Sequence, residues 1–262
     1  MNDKISSKSN ANIKYAKKLL SLASFRKKEK LFLLEGVRLC GDALKSGLKF
    51  KTVFFTEKCR EKFPKIIDSL MENAENSFET IEDIIKLISD TDAPQGVVCI
   101  CEMSIPQGVD EKHGDKLVML ENIQNPSNLG SIFRTCDALG VKDVIISGDS
   151  CDIYNPKVLR GSMGAVFRLN IKICEDFRGF VSELVNRGYK IYAAVPSSDA
   201  ETLGGDNIFS EKSAVIFGNE GNGITSETID LCTGKLTIPM TKNAESLNVA
   251  VAAGIVIWEL IK

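Results

Sequence analysis

Histidine is nearly absent from this 262-residue chain, and no Cys-x-x-Cys pair occurs in it. The single His113 has no partner at metal-ligand spacing, so neither a structural nor a catalytic zinc site is expected. Phosphate-loop signatures are missing too: there is no G-x-G-x-x-G and no G-K-[S/T], which argues against a dinucleotide fold or an NTPase. Long apolar runs are also scarce. The longest, Leu247–Trp258, is interrupted by Asn248 and is too short to span a bilayer. The N-terminus lacks the compact apolar core and small-residue cleavage site of a signal peptide. It is rich in Lys and Ser, but its first arginine is Arg26, whereas mitochondrial presequences favour Arg. A cytoplasmic protein without membrane contact is expected. Repeats and low-complexity tracts are absent.

Eight cysteines are present: Cys40, Cys59, Cys99, Cys101, Cys136, Cys151, Cys174 and Cys232. Most lie in apolar stretches such as VVCICE and IKIC, which suits reduced thiols acting as small core residues. The net charge of −2 hides an asymmetry. Residues 1–30 carry nine Lys/Arg against two acids, +7, and the remainder carries −9. A basic arm on an acidic body suggests a local polyanion contact, with a solvated lysine-rich helix as the competing view.

Alternating strand and helix patterns run through the chain. A basic amphipathic helix fits Asn12–Ser24, followed by a strand at Leu31–Leu34 and a helix at Gly36–Ser46 that Gly47 stops. FKTVFFT, FETI and QGVVCICE read as strands, with helices at Arg60–Met71 and EDIIKLIS. This makes a small α/β domain over 1–104. The Pro-, Gly- and charge-rich stretch 105–115 reads as a linker, with His113 on its surface. Residues 116–262 form a second α/β domain. Its strands LVMLEN, KDVIIS, RLNIKI, KIYAAVP, SAVIFGNE and KLTIP alternate with helices at 127–139, 156–161, 177–186, 226–232 and 245–261. That pattern implies a mostly parallel sheet covered on both faces.

Three segments break the regular patterns, each at the C-terminal end of a predicted strand, where open α/β sheets bind ligands. ENIQNPSNLGSIFRT (121–135) crowds Asn122, Gln124, Asn125 and Asn128 before a helix. Ser127 or Asn128 is the candidate N-cap. Arg134 follows Phe133, so it is expected to be partly buried against an anion, either an RNA phosphate or an internal carboxylate. FGNEGNGIT (217–225) carries Gly218, Gly221 and Gly223, which allow unusual backbone shapes and close ligand approach. Glu220 within it opposes a phosphate. IPMTKNAESLNVAVAAG (238–254) places Ser246 and Asn248 at the start of an apolar helix, a position that alone suggests a cap.

Together, N-L-G-S-I-F-R-T, F-G-N-E-G-N-G and I-P-M…E-S-L-N-V-A-V-A resemble, in order and spacing, the three signature motifs of the SpoU (TrmH-like) branch of the SPOUT RNA methyltransferases. The resemblance covers about residues 116–262, and the intervening NPKVLRGSMGAVFRL is also similar to the family. The NIKYAKKLL and FLLEGVRLCGDAL phrases more loosely resemble its accessory substrate-binding domain, which is similar to certain small ribosomal proteins. The resemblance implies a parallel sheet with a deep trefoil knot, a homodimer, and S-adenosylmethionine as cofactor. The implied cofactor contacts are Ala194, Val195, Gly218, Ile238 and Leu247. The implied catalytic residues are Asn128, Arg134, Glu220, Ser246 and Asn248. The implied reaction is methylation of a ribose 2′-hydroxyl, in ribosomal RNA of the large subunit more than in transfer RNA. Lys14, Lys17, Lys18 and Arg26 on the arm, with Lys157 and Arg160, are the candidate RNA contacts, and Arg168 joins the second basic group. Three competing readings are a base-methylating knotted enzyme, a non-catalytic RNA-binding or ribosome-assembly protein, and a nucleotide-dependent small-molecule enzyme.

Overall fold

The computed structural model describes residues 3–103, 114–204, 208–209, 211–241 and 243–262. Most of the expected linker, including His113, lies outside the described residues. The chain divides into two compact units. Unit 1 is Met1–Ser104 together with Asp152–Phe167, and unit 2 is Ile105–Cys151 together with Arg168–Lys262. Residues 152–167, within the C-terminal half of the sequence, thus pack with the N-terminal unit.

In unit 1 the elements run β1 (Asp3–Ile5), α1 (Ala11–Ser21), α2 (Ala23–Glu29), β2 (Leu31–Glu35), α3 (Val37–Lys45), β3 (Phe50–Thr56), α4 (Glu57–Lys62), α5 (Pro64–Glu72), β4 (Ala74–Thr80), α6 (Glu82–Leu87) and β5 (Val97–Glu102). The sheet order is β1-β4-β3-β5-β2, parallel along β1, β4 and β3 and antiparallel at both edges of β5. The single helix expected at Asn12–Ser24 is two helices, because Leu22 is extended between them. The helix expected at Arg60–Met71 is also divided, at Phe63 and Pro64. Proline is well placed only at a helix start, since it has no N–H to donate further in. Gly36, at φ +94°, caps α3, and Gly47, at φ +73°, follows its end. Ile13, Ala16 and Leu19 of α1 pack with Leu33, Phe54, Val98 and Ile100 of the sheet.

The second half runs β6 (Lys116–Leu120), α7 (Pro126–Leu139), β7 (Asp143–Ser147), α8 (Pro156–Ser162), β8 (Asn170–Cys174), α9 (Phe177–Asn186), β9 (Lys190–Ala194), β10 (Glu201–Thr202), β11 (Ser213–Phe217), α10 (Ser226–Ile229), β12 (Gly234–Thr237) and α11 (Val249–Leu260). All of these except α8 belong to unit 2. Its sheet has the order β10-β12-β9-β11-β6-β7-β8, and every neighbouring pair is parallel. Central strands are buried on both faces, as their unbroken apolar runs require. Phe177, Phe180, Val181 and Leu184 of α9 cover one face over Leu117, Met119, Ile191 and Ile216. On α7, Leu129, Ile132, Phe133 and Cys136 are buried, and α11 packs against α7 and β11. Each such apolar side chain contributes about 1.5–3 kcal/mol on burial.

This topology fixes where a ligand can sit. From β6 the chain steps to β7 on one side. From β11, beside β6, it proceeds to β12 on the other. The loops after β6 and β11 therefore part at a switch point, where the strand ends leave a crevice. All eight cysteines are free.

Candidate active site

The loop after β6 begins with Glu121, whose N–H donates to Phe217 O at 2.8 Å. Its buried carboxylate accepts from Thr225 N–H at 3.0 Å, from Thr225 Oγ1 at 2.8 Å and from Thr228 Oγ1 at 2.7 Å. Sequence reasoning did not single out Glu121. An acid ending a buried strand was the available signal, and its work is to tie the far end of the glycine loop to β6. Asn122 has φ +55°, a left-handed conformation that asparagine tolerates better than most residues. Asn122 Nδ2 donates to Asp149 Oδ2 at 2.6 Å, and Asn122 N–H donates to Ser147 Oγ at 2.7 Å. The N-cap of α7 is Asn125, whose side chain accepts from Ser127 N–H at 2.9 Å. Neither Ser127 nor Asn128 takes that position, because Pro126 starts the helix one residue earlier.

Asn128 is left to bridge instead. Buried at 7% exposure, it donates from Nδ2 to Glu220 Oε1 at 3.0 Å and accepts at Oδ1 from Asn248 Nδ2 at 3.1 Å. Glu220 also accepts from Asn125 N–H at 3.0 Å and Gln124 N–H at 3.1 Å. Burial alone would raise its pKa, but the Asn128 amide and the two backbone donors more than offset that, and the carboxyl is held below its ordinary value. Asn248 Oδ1 caps α11, accepting from Ala250 N–H at 3.0 Å. One hydrogen-bonded chain thus joins all three motif segments.

The glycine loop is held by Asn219, also missed in the sequence. Its Nδ2 donates to Asn122 O at 2.9 Å, and its Oδ1 accepts from Gly221 and Asn222 N–H, each at 2.9 Å. The reason for glycine differs among the three positions. Only Gly223 has a positive φ, +71°. A Cβ on Gly218 would lie 2.2–2.4 Å from the backbone of Gly223 and Ile224. The chain's own loop, not a ligand, makes that close approach.

Arg134 corrects an expectation. It is exposed, and no internal carboxylate pairs with it among the described residues. It follows Asn128 by six residues, about 9 Å along α7 and roughly a third of a turn around it, so it lies outside the Asn128–Glu220–Asn248 chain. Ser246 is exposed, Leu247 is 37% exposed, and Ala194, Val195 and Ile238 are half-buried. β9 and β12 end side by side: Leu236 pairs with Ala194, and Val195 N–H donates to Leu236 O at 2.9 Å. At these strand ends Ala194, Val195 and Ile238 keep their apolar side chains partly in water. None of these residues is basic, which suits an apolar ligand surface better than a polyphosphate.

Among the candidate RNA contacts, Lys14, Lys17, Lys18 and Lys157 are exposed. Arg160 is half-exposed and pairs with Asp90 at 2.9 Å. Arg168 pairs with Asp137 at 2.8 Å. Arg26 is a correction: at 2% exposure it is sealed in unit 1, bonded to Asp152 Oδ2 at 2.6 Å and to Leu19 O at 2.7 Å. Its guanidinium is spent internally and is withdrawn from the RNA set.

A parallel sheet whose strand-end loops are cross-tied at a switch point, with an exposed arginine on the adjoining helix, is the arrangement in which α/β proteins hold ligands beyond their strand ends. The chain belongs to the SpoU rRNA Methylase family, whose family model matches residues 115–258. The MRM3-like substrate binding domain matches residues 10–99. The 23S rRNA (guanosine(2553)-2′-O)-methyltransferase RlmP of Bacillus subtilis is 31% identical over 98% of each chain. The 23S rRNA (uridine(2479)-2′-O)-methyltransferase of Streptomyces viridochromogenes is 26% identical over 97% of this chain and 90% of its own. The AdoMet-bound rRNA methyltransferase from Sinorhizobium meliloti superposes with a TM-score of 0.85 at 27% identity, over 98% of this chain and 97% of that one.

Proposed function

We propose that this protein methylates a ribose 2′-hydroxyl in large-subunit ribosomal RNA with S-adenosylmethionine as donor. The observation that carries the reading is the Glu220–Asn128–Asn248 chain, which draws the three family motifs to one switch point. Relatives similar over nearly the whole length, both units included, are named for 23S rRNA.

The cofactor supplies an electrophilic methyl group on a sulfonium. Ala194, Val195, Ile238 and Leu247 would hold its apolar parts, with main-chain groups near Gly218 meeting the adenine edge. Glu220, Asn128 and Asn248 position the loops and do not reach Arg134. Arg134 acts as a cation, since a guanidinium stays protonated in proteins. It grips the phosphate beside the target ribose in a bidentate fashion and stabilises the developing alkoxide. The phosphate oxygen takes the hydroxyl proton. Ser246 borders the pocket.

Residues 1–104 are the substrate-binding domain, 105–115 the linker and 116–262 the catalytic domain, apart from 152–167, which pack with the N-terminal unit. Lys14, Lys17, Lys18, Lys157 and Arg160 contact RNA phosphates. The chain threads a trefoil knot, a reading supported by β9, β11 and β12 lying out of chain order in the sheet. A second copy covers α11, where Val251, Ile255 and Trp258 stand 52%, 39% and 53% exposed at helical spacing. Sedimentation should find a dimer that Trp258→Glu disperses, and an undisturbed dimer would remove α11 from the contact. Among the described residues no helix is long and apolar enough to cross a membrane.

The deciding experiment incubates the protein with methyl-labelled S-adenosylmethionine and unmodified 23S ribosomal RNA, followed by nuclease digestion and mass analysis. Label on a 2′-oxygen is expected. Label on a base, or none, refutes the reading. Arg134→Lys is expected to lose most turnover, and near-normal rates would exclude the bidentate grip.

A further inference from the structure

Unit 1 contains a cavity of about 290 Å³ that the proposed chemistry leaves unused. It lies at the start of α3, against the 91–95 segment and the end of α8. Its walls are fixed by bonds already made. The Glu35 carboxylate accepts from Asp90 N–H at 2.8 Å and from the Thr91 hydroxyl. Gln95 Oε1 accepts from Val37 N–H at 2.9 Å, which leaves the Gln95 amide hydrogens as donors. Arg160 Nη2 holds Asp90 at 2.9 Å. The cavity is therefore preformed, and Leu39 and Met163 give it an apolar side.

Two lining residues have no such commitment. Arg38 and Asp42 stand four apart on α3, close enough to pair, yet neither side chain has a partner among the described residues. Asp42 disfavours a free anion there, while Arg38 and Arg160 disfavour a free cation. Opposite charges beside apolar side chains suit a flat, neutral heterocycle with both donor and acceptor edges. Guanine fits best, because its adjacent N1–H and N2–H match the two oxygens of one carboxylate and its O6 and N7 accept from an arginine. The volume falls at the lower end of the roughly 300–1,000 Å³ typical of small-ligand pockets, which is room for one base and not for a base pair. Sequence-specific RNA recognition works largely through unpaired bases read at their edges.

We infer that this cavity takes a single unpaired guanine of the RNA substrate, read by Asp42 and Arg38. The inference rests on RNA being the substrate, as proposed above.

The test titrates guanosine 5′-monophosphate into the full, isotopically labelled chain and follows the amides of residues 36–42 and 91–95. Those amides should shift. Inosine 5′-monophosphate, lacking the N2 amine, should bind about tenfold more weakly, because it loses one hydrogen bond to the carboxylate. Ribose 5-phosphate should leave them unmoved. Asp42→Asn should erase the preference for guanosine over inosine, and Arg38→Gln should raise KM for ribosomal RNA about tenfold with kcat retained. Arg38 is exposed and Asp42 half-buried, so both variants should fold. Absence of shifts, an equal response to ribose 5-phosphate, or an unchanged KM overturns the cavity assignment while methyl transfer stands. Failure of the unaltered protein to methylate any ribosomal RNA overturns both.

Discussion

Asn128→Ala cuts the bond chain at its middle, and its cost can be worked from the structure. The substitution removes one hydrogen bond to the charged Glu220 and one between neutral amides to Asn248. Bonds to charged groups contribute about 1.5–3 kcal/mol and neutral ones about 1 kcal/mol. Glu220 is exposed and keeps its two backbone donors, so the lower end applies to the first. Asn248 keeps its capping role and reaches water, so no buried group is orphaned. The expected loss is about 2–2.5 kcal/mol, or on the order of 5–10 °C in the melting temperature of unit 2. Denaturant unfolding of the single variants and of Asn128→Ala/Asn248→Ala measures the loss and its coupling. The two substitutions share one bond, so together they should cost less than the sum of their separate effects by about 1 kcal/mol. A loss under about 0.5 kcal/mol with full additivity would refute the idea that these side chains hold the motif loops together.

Gly218→Ala forces a methyl group onto the backbone of Gly223 and Ile224. Overpacking of this kind costs about 1–3 kcal/mol, and thermal unfolding should show at least that much. Arg26→Ala leaves the Asp152 carboxylate without its cation in unit 1 and should cost about 3–5 kcal/mol, measured by denaturant unfolding. A neutral effect would return Arg26 to the exposed basic surface. Because Glu220 titrates below its ordinary value in the folded chain, its contribution is fully present above the unfolded value and fades as pH falls through the folded one. A carboxyl titration followed by carbon NMR should find the Glu220 midpoint below 4.5, the ordinary value, and find it raised in Asn128→Ala.

Much of this was legible in the sequence because the signals were local. Apolar runs as short as LVML and SAVIF, bounded by polar residues, read as buried strands, and α9 occupies Phe177–Asn186 as its pattern predicts. The motif loops announced themselves as polar clusters between apolar elements. What stayed hidden depended on three-dimensional neighbours. The lysine-rich arm gave no sign that Arg26 turns inward, because Asp152 lies 126 residues away. Following Phe133 did not bury Arg134, since adjacent helical residues point about 100° apart. Gly218 looked like room for a ligand when the space belongs to residues 223 and 224. The two-residue β10 was too short for periodicity to reveal.

The most direct measurement is a titration of S-adenosylmethionine into the labelled protein, read residue by residue by NMR. The strand-end loops are claimed to form one cofactor pocket, so the amides of 194, 195, 218, 238 and 247 should all shift and yield a single Kd. Shifts confined to one of these loops, different affinities among them, or no binding at all would contradict the account.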